Sequence, residues 1–404
     1  MTVDLRDPIR LALARVVEEG RKLEGGDVAS YIPELARADP DALGVAIASV
    51  RGTIHETGDS DTEFTIQSVS KPFVLALALE QAGLTEVTRH VGLEPSGEPF
   101  NAISLDEATG RPFNPMINAG AIVTSSLIDG DSAAEKFAVI RRGLEAFAGR
   151  QLDVDDAVFE SELESGDRNR ALAYLARSAG TLASSVDVAT EAYFRQCALL
   201  VSARDIAVMA ATLAAGGRNP VTGERVVSEA VARWTTAVMS SCGMYDASGA
   251  WMVRVGLPAK SGVGGGVAAL LPDQFGIGTF SPPLDAQGNS ARGVAMLEAL
   301  SNEYGLHLLM HRGEPLSPIS TLDTDRDPIV ARLRGELVFS GAEEVLTRLD
   351  TLARDGVAIE MDLEGVTRLG PAARLLFRDA LKEASASGHD LTVNDPDGLL
   401  DEAN

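Results

Sequence analysis

Apolar positions recur along the chain with two different periods. Ile9, Leu13, Val16 and Val17 share one face at helical spacing, which predicts a helix closed by Gly25-Gly26. Val28–Ala36 predicts a second short helix, interrupted by Pro33. Leu43–Val50 and Thr53–Glu56, joined at Arg51-Gly52, predict a hairpin, and Glu63–Ile66 a short extended piece. Phe73–Ala82 predicts an apolar helix stopped by Gly83. Helical segments then prevail to about residue 235: Ala119–Ile128, Ala133–Ala148, Ala171–Ala176, Val186–Val201 and Ala203–Ala215. Strand-like segments return at Trp251–Val255, Gly264–Leu271 and Phe275–Phe280, and Val294–Leu309 predicts a covering helix. Hairpin, helical insert and hairpin again is the outline of one sheet built from both ends of this region.

The rhythm changes after residue 310. Residues 311–327 are polar, hold Pro315 and Pro318 and precede Pro328, so they are expected to form a linker. Beyond them Gly335–Phe339, Val357–Leu363 and Asp390–Asn394 are strand-like. Helices are predicted between them at Ala342–Ala353 and Pro371–Ala386. The 404-residue chain is thus expected to hold an α+β domain over 1–310 and a small α/β domain over 328–404.

Charge narrows the partners. Thirty-five basic against 59 acidic residues give a net charge of -24, which repels phosphate backbones and anionic membrane surfaces, so neither nucleic acid nor membrane is expected as a partner. No apolar run reaches the ~18 residues needed to span a bilayer. The first twenty residues lack the pattern of a secretory signal. Two cysteines, Cys197 and Cys242, cannot build a disulfide framework and are expected as buried thiols. Together these features predict a cytoplasmic protein.

Lysine is scarce, occurring only at positions 22, 71, 136, 260 and 382. Lysine is also the cation whose pKa moves readily on burial, so the five positions are informative. Lys71 closes Ser68-Val69-Ser70-Lys71, the one Ser-x-x-Lys in the chain. Residues three apart share a helix face, and a neutral amine beside a hydroxyl can take its proton and activate it as a nucleophile. Pro72 is compatible with a helix that has just begun. Lys260-Ser261-Gly262 resembles the Lys-Thr-Gly element that accompanies Ser-x-x-Lys in penicillin-recognising serine enzymes. It precedes a strand-like segment, where Lys260 would lie near Lys71 and disfavour its protonation. The backbone N–H groups of Ser68 and Val263 can form an oxyanion hole. The third penicillin-recognition element, Ser-Asp-Asn, is absent.

Four blocks together resemble the serine-dependent glutaminases. They are Gln67-Ser68-Val69-Ser70-Lys71-Pro72-Phe73, the run Asn114–Ala121, Ser165-Gly166-Asp167-Arg168-Asn169, and the run Gly256–Val263. The similarity extends from about residue 9 to 309. It implies a β-lactamase-like fold, an antiparallel sheet flanked by helices plus a helical subdomain. It also implies hydrolysis of L-glutamine to L-glutamate and ammonia through a glutamyl-serine intermediate, without metal or organic cofactor. Carried over by residue, Ser68 is the nucleophile, Lys71 the base and Tyr245 the phenol that relays the proton. Tyr31, Asn118, Glu162, Asn169 and Tyr193 face the substrate, with Val263 contributing its backbone. Gln67, Lys260, Ser261 and Gly262 support them. The chemistry suits an amino acid: a carboxylate can bind an α-ammonium group, while amides and phenols can hold a carboxylate. The resemblance further implies a homo-oligomer, dimer or tetramer.

The C-terminal unit resembles a STAS domain over about 328–397, with Gly335-Glu336-Leu337, Asp362-Leu363 and Gly388-His389. That likeness implies self-association, a protein partner or plain stabilisation. Gly370-Pro371 stands where the anti-sigma factor antagonists carry a phosphorylated Asp-Ser pair, and Pro371 suits a helix start instead. His307 and His311 have the spacing of a helical metal pair, but two ligands fall short of the usual three or four, so no metal is expected. Two other functions fit the same residues less well. A β-lactamase or D,D-peptidase would need the missing third element and an exported chain. A non-catalytic amino-acid sensor acting through the STAS-like unit would need a damaged site.

Overall fold

The computed structural model describes residues 7–97, 102–310, 317–353 and 357–401. The chain divides into two compact units, Met1–Met310 and His311–Asn404. Strands of the first unit are β1 (Gly44–Ser49), β2 (Ile54–Gly58), β3 (Phe64–Thr65), β4 (Leu200–Val201), β5 (Ala259–Ser261), β6 (Gly266–Leu271) and β7 (Phe275–Phe280). Five of them form an antiparallel sheet in the order β2-β1-β7-β6-β5, while β3 and β4 pair separately. The sheet therefore joins the two ends of this region, as the pattern predicts. The helices are α1 (Asp7–Arg21), α2 (Pro33–Ala36), α3 (Lys71–His90), α4 (Asn118–Leu127), α5 (Ala133–Ala148) and α6 (Asp156–Ser165). They continue with α7 (Asp167–Ser178), α8 (Val186–Cys197), α9 (Ala203–Ala214), α10 (Glu229–Cys242), α11 (Ser248–Arg254) and α12 (Ala291–Tyr304).

Strand alternation sorts the core into two layers. Val267, Ala269 and Leu271 of β6 and Ile277 of β7 pack with Leu13 of α1 and Met296 and Leu300 of α12. The intervening Ala268 and Leu270 pack with Ile206, Met209 and Ala210 of α9 in the larger core that includes α3 and α5. Because both faces are covered, every β6 residue is buried. Helix α9 lies close against the sheet. A Cβ on Gly276 would stand 2.2 Å from Ala211 N, and one on Gly278 would stand 2.0 Å from the Ala203 carbonyl oxygen. Ser202 and Asp205 form a reciprocal cap at the start of α9, and Arg150 pairs with Asp205 at 2.7 Å.

Four expectations in this unit need correction. The expected helix Val186–Val201 ends at Cys197, and Leu200–Val201 forms β4. Trp251–Val255 belongs to helix α11 rather than a strand, because only Trp251 and Val255 of the run are fully buried and they are one helical turn apart, while Val253 is exposed. Within Val28–Ala36 only Pro33–Ala36 is helical: Pro33 restricts the residue before it, and Ile32 is extended at φ -128°, ψ 149°. Tyr31 consequently stands on a loop. At Gly83 the backbone leaves helical geometry (φ 79°, ψ 161°), as predicted, but α3 resumes beyond the kink to His90.

The second unit contains β8 (Ile319–Asp323), β9 (Ile329–Leu337), α13 (Phe339–Ala353), β10 (Ile359–Leu369), α14 (Pro371–Ser387) and β11 (Leu391–Asn394). Its sheet has the order β11-β10-β9-β8. The β9–β10 and β10–β11 pairs are parallel, each joined through one helix, and β8 is antiparallel to β9. The expected linker 311–327 is thus too long. Ile319 and Leu322 pack on the small core, so this proline-flanked segment serves as an edge strand. Residues 311–316 of that linker lie outside the described residues.

The contact between α9 and β7 leaves no room for side chains on the strand's helix-facing glycines. Gly278→Ala is expected to destabilise the first unit by roughly 1–3 kcal/mol or more, since overpacking moves backbone here. Gly249→Ala, at a position with open space around it, is the control. A urea midpoint that falls for the first and holds for the second checks the claim.

Candidate active site

Where β3 ends, the chain tightens into a 3-10 turn, Gln67–Ser70, that runs directly into α3. Gln67 takes a left-handed backbone conformation, φ 47°. Pro72 lies in the first turn of α3, where its missing N–H costs nothing. This turn presents Ser68, nearly buried, to a cavity of about 340 Å³.

Lys71, three residues after Ser68, is buried with 1% of its surface exposed. Its Nζ donates to Asn118 Oδ1 at 2.7 Å and to the Met116 carbonyl at 3.2 Å. Burial lowers its pKa to about 7. A neutral amine has two hydrogens and one lone pair. With both hydrogens committed to these acceptors, the lone pair of the neutral form remains to accept a proton.

A second buried amine lies behind the first. Lys260 on β5 sits 3.8 Å from the centre of the Tyr245 ring and donates to the Ser261 carbonyl. Burial, reinforced by Lys71, holds its pKa well below the usual lysine range. The Tyr245 hydroxyl donates to the same carbonyl at 3.2 Å. Burial pushes the phenol up to about 12, against hydrogen bonds with the Ser68 and Ser261 side chains. Tyr245 also has a left-handed backbone, φ 56°. Ser261 donates its hydroxyl to Asn289. Gly262 packs tightly on the nucleophile turn, where a Cβ would stand 3.1 Å from Val69 N.

The polar wall comes from the helical part. Gly166 separates α6 from α7, and a Cβ there would stand 2.4 Å from the Phe194 ring. That close packing brings Glu162 at the end of α6 and Asn169 at the start of α7 to the same cavity. Tyr31 donates to Glu162 at 2.7 Å. Its ring is half exposed while its hydroxyl reaches inward. Burial raises the Glu162 pKa, although hydrogen bonds from Tyr31 and Gln67 oppose the shift. Asn118 Nδ2 donates to Asn169 Oδ1 at 3.1 Å, and the Tyr193 hydroxyl donates to Asn118 Oδ1 at 3.4 Å. Engaged through its oxygen, Asn169 offers its amide nitrogen as a donor.

The structure therefore brings Tyr31, Gln67, Ser68, Asn118, Glu162, Asn169, Tyr193 and Val263 to one cavity. Lys71, Tyr245, Lys260 and Ser261 form a buried layer beneath it. The sequence reading missed Arg168 and Ser165 as lining residues, although both lie inside a block it singled out. It also took Cys197 as a plain core thiol. Cys197 is buried, but one turn along α8 from Tyr193 it lines the same cavity, and burial pushes its thiol up to about 12. His307 bonds the Met252 carbonyl at 2.9 Å, and His311 lies outside the described residues. Among the described residues no three His, Cys, Asp or Glu side chains gather as a metal site.

Comparisons with known proteins are consistent with this geometry. The glutaminase family model matches residues 26–309. The chain is 43% identical over 401 residues to a glutaminase of Corynebacterium efficiens, covering 99% of this chain and 95% of that one. It is 54% identical over 307 residues to glutaminase 2 of Bradyrhizobium diazoefficiens, covering 75% of this chain and 49% of that one. The crystal structure of Mglu in its tris and glutamate form superposes with a TM-score of 0.88 at 38% identity, covering 98% of this chain and 99% of that one.

The buried amine makes a prediction that needs no assay of turnover. Between about pH 7 and the usual lysine range, unfolded chain holds a proton on Lys71 that folded chain has lost. Stability from this residue therefore rises with pH across that window, by at most about 1.4 kcal/mol per pH unit, and is flat below it. Urea midpoints from pH 7 to 10 are expected to show this slope in the wild type and a shallower one in Lys71→Met.

Proposed function

The chain belongs to the glutaminase family, and from that premise we propose that it hydrolyses L-glutamine to L-glutamate and ammonia through a glutamyl ester on Ser68. One observation carries the serine route. The buried Lys71 amine has both hydrogens directed to fixed acceptors and a pKa near 7, three residues from a serine that lines the cavity.

Ser68 Oγ attacks the side-chain amide carbon as its proton passes to Lys71 Nζ. The oxyanion rests on the backbone N–H groups of Ser68 and Val263. The carbon–nitrogen bond then breaks, and the nitrogen leaves as ammonia with a proton delivered from Lys71 or through Tyr245. Water attacks the ester, gives its proton to Lys71, and returns Ser68 to its hydroxyl form as glutamate departs. Tyr245 stays neutral with its high pKa, which suits a phenol that passes a proton rather than one that holds a charge. Lys260 and Ser261 fix Tyr245 from below. At the other end, Glu162 pairs with the α-ammonium group. Asn118, Asn169, Tyr193 and Tyr31 hold the α-carboxylate and its surroundings.

The covered antiparallel sheet and the helical subdomain beside it support a β-lactamase-like fold for the first unit. The alternating strands and helices of the second, with Pro371 opening α14, support a STAS-like unit that binds a protein partner or a second copy. No described helix is long and apolar enough to cross a membrane. We place the protein in the cytoplasm, where two free buried cysteines fit a reducing solution, and read it as a homo-oligomer. Light scattering of the full chain tests the last point, and a monomer overturns it.

Ammonia release from L-glutamine and L-asparagine in parallel tests the activity. Ser68→Ala is expected to fold normally and lose at least roughly a thousandfold in kcat. Near-normal release from that variant overturns the serine route. Glu162→Gln is expected to raise KM by about 10- to 100-fold, the worth of a charge-assisted contact, with a smaller effect on kcat. The acidic limb of kcat/KM is expected to bend near pH 7, where Lys71 loses its proton.

A further inference from the structure

The left-handed turn at Gln67 is supported from behind by a chain of buried side chains. A non-glycine residue persists in that conformation only where the surroundings hold it. Here the Gln67 carbonyl accepts from the Ser70 hydroxyl at 2.7 Å. Ser70 in turn accepts from Gln196 Nε2 at 3.0 Å. Gln196 Oε1 accepts from the Ser125 hydroxyl at 2.9 Å, and Ser125 also reaches the Ala121 carbonyl at 3.0 Å. Ser70, Ser125 and Gln196 are each 0% exposed. The chain thus runs from α4 through α8 to the turn that carries Ser68.

Gln196 has no other evident reason to be polar. It does not line the cavity, so it cannot touch substrate. Its neighbours on α8, Tyr193 and Cys197, are the ones that face the cavity. A primary amide buried among apolar side chains is unfavourable unless its hydrogen bonds are made. Its bond from Ser125 ties it to α4, and its bond to Ser70 leads to the carbonyl of the residue before the nucleophile. Ser70 is spent the same way, although it sits inside the Ser-x-x-Lys motif.

We propose that Gln196 and Ser70 are positioning residues that hold the Gln67 turn left-handed, and so fix the Ser68 hydroxyl and its N–H for attack. The inference rests on Ser68 being the nucleophile. Without the chain, the turn relaxes and the hydroxyl loses its aim. Glu162 and Asn169, on α6 and α7, stay in place, although Gln67, which bonds Glu162, moves with the turn. The effect therefore falls first on kcat and on the reactivity of Ser68, and only secondarily on KM.

The test uses full-length Gln196→Met, Ser70→Ala and the double variant. Three readouts are compared: steady-state ammonia release, thermal midpoint, and the rate at which a fluorophosphonate labels Ser68. Each single variant is expected to lower kcat by about tenfold or more with KM changed by less than about threefold, and to slow labelling in parallel. The double variant is expected to be no worse than the worse single, because both cut one chain. Folded variants that lose thermal midpoint but keep kcat and labelling overturn the proposal and leave a purely structural role. Additive losses in the double variant overturn the single-chain reading. If Gln196→Met does not fold, Ser70→Ala removes the same support with a smaller change and decides the matter. Release by Ser68→Ala overturns the serine route itself, and that result is independent of what Gln196 does.

Discussion

Everything in the site depends on keeping an amine buried and uncharged. Taking an ammonium group out of water costs several kcal/mol unless it is paired. Among the described residues no carboxylate bonds Lys71; its hydrogen-bond partners are an amide oxygen and a backbone carbonyl. Such acceptors satisfy hydrogens without stabilising a full charge as a carboxylate would. A carboxylate in that place would raise the pKa and remove the base. Glu162, the one acid among the residues that line the cavity, is instead tied to Tyr31 and Gln67. Lys260 adds a second buried amine, whose pKa is lowered by burial and by Lys71.

Such a site needs a rigid frame, because neutral hydrogen bonds at 2.7–3.4 Å hold the wall residues. The frame is supplied by distant parts of the chain. The tight seat of α9 on the sheet fixes β5 and β6, and with them Lys260 and Val263. The kink-free first half of α3 fixes Lys71. Gly166, pressed on Phe194, fixes the α6–α7 corner and places Glu162 and Asn169 together. Gly166, Gly276 and Gly278 are each required by a backbone or ring that passes within 2.5 Å of where a Cβ would be.

The chemical half of the site was legible in the sequence. One Ser-x-x-Lys in a chain with five lysines pointed to Ser68 and Lys71 from chemistry, and the likeness of Lys-Ser-Gly to the Lys-Thr-Gly element pointed to Lys260. The binding half was legible only through family resemblance, because nothing local about Tyr31, Glu162 or Asn169 distinguishes a cavity wall from a helix cap or a loop. Ser70, Gln196 and Cys197 were not legible at all: their meaning lies in contacts between segments more than a hundred residues apart, which no period records. The misread elements have local causes. Trp251-Met252-Val253 is apolar in series, yet only one of the three side chains is buried. Prolines around Ile319–Asp323 masked a strand that pairs on one side only.

The charge of the chain bears on the reaction in one direction. Glutamine as a zwitterion has no net charge, so the field of a chain at -24 neither gathers nor repels it strongly. Recognition has to be local, a role that the proposed reading gives to Glu162 and the amide and phenol wall. Hydrolysis changes that balance. Glutamate carries one more negative charge than its precursor, and on the proposed reading that charge forms at Ser68, at the end of the cavity away from Glu162. Within a chain at -24 the new carboxylate is disfavoured relative to the amide it replaces, which favours departure of the product. A strongly basic lining would bind the product better than the substrate, so the acidic balance of the chain suits a hydrolase whose product is an anion.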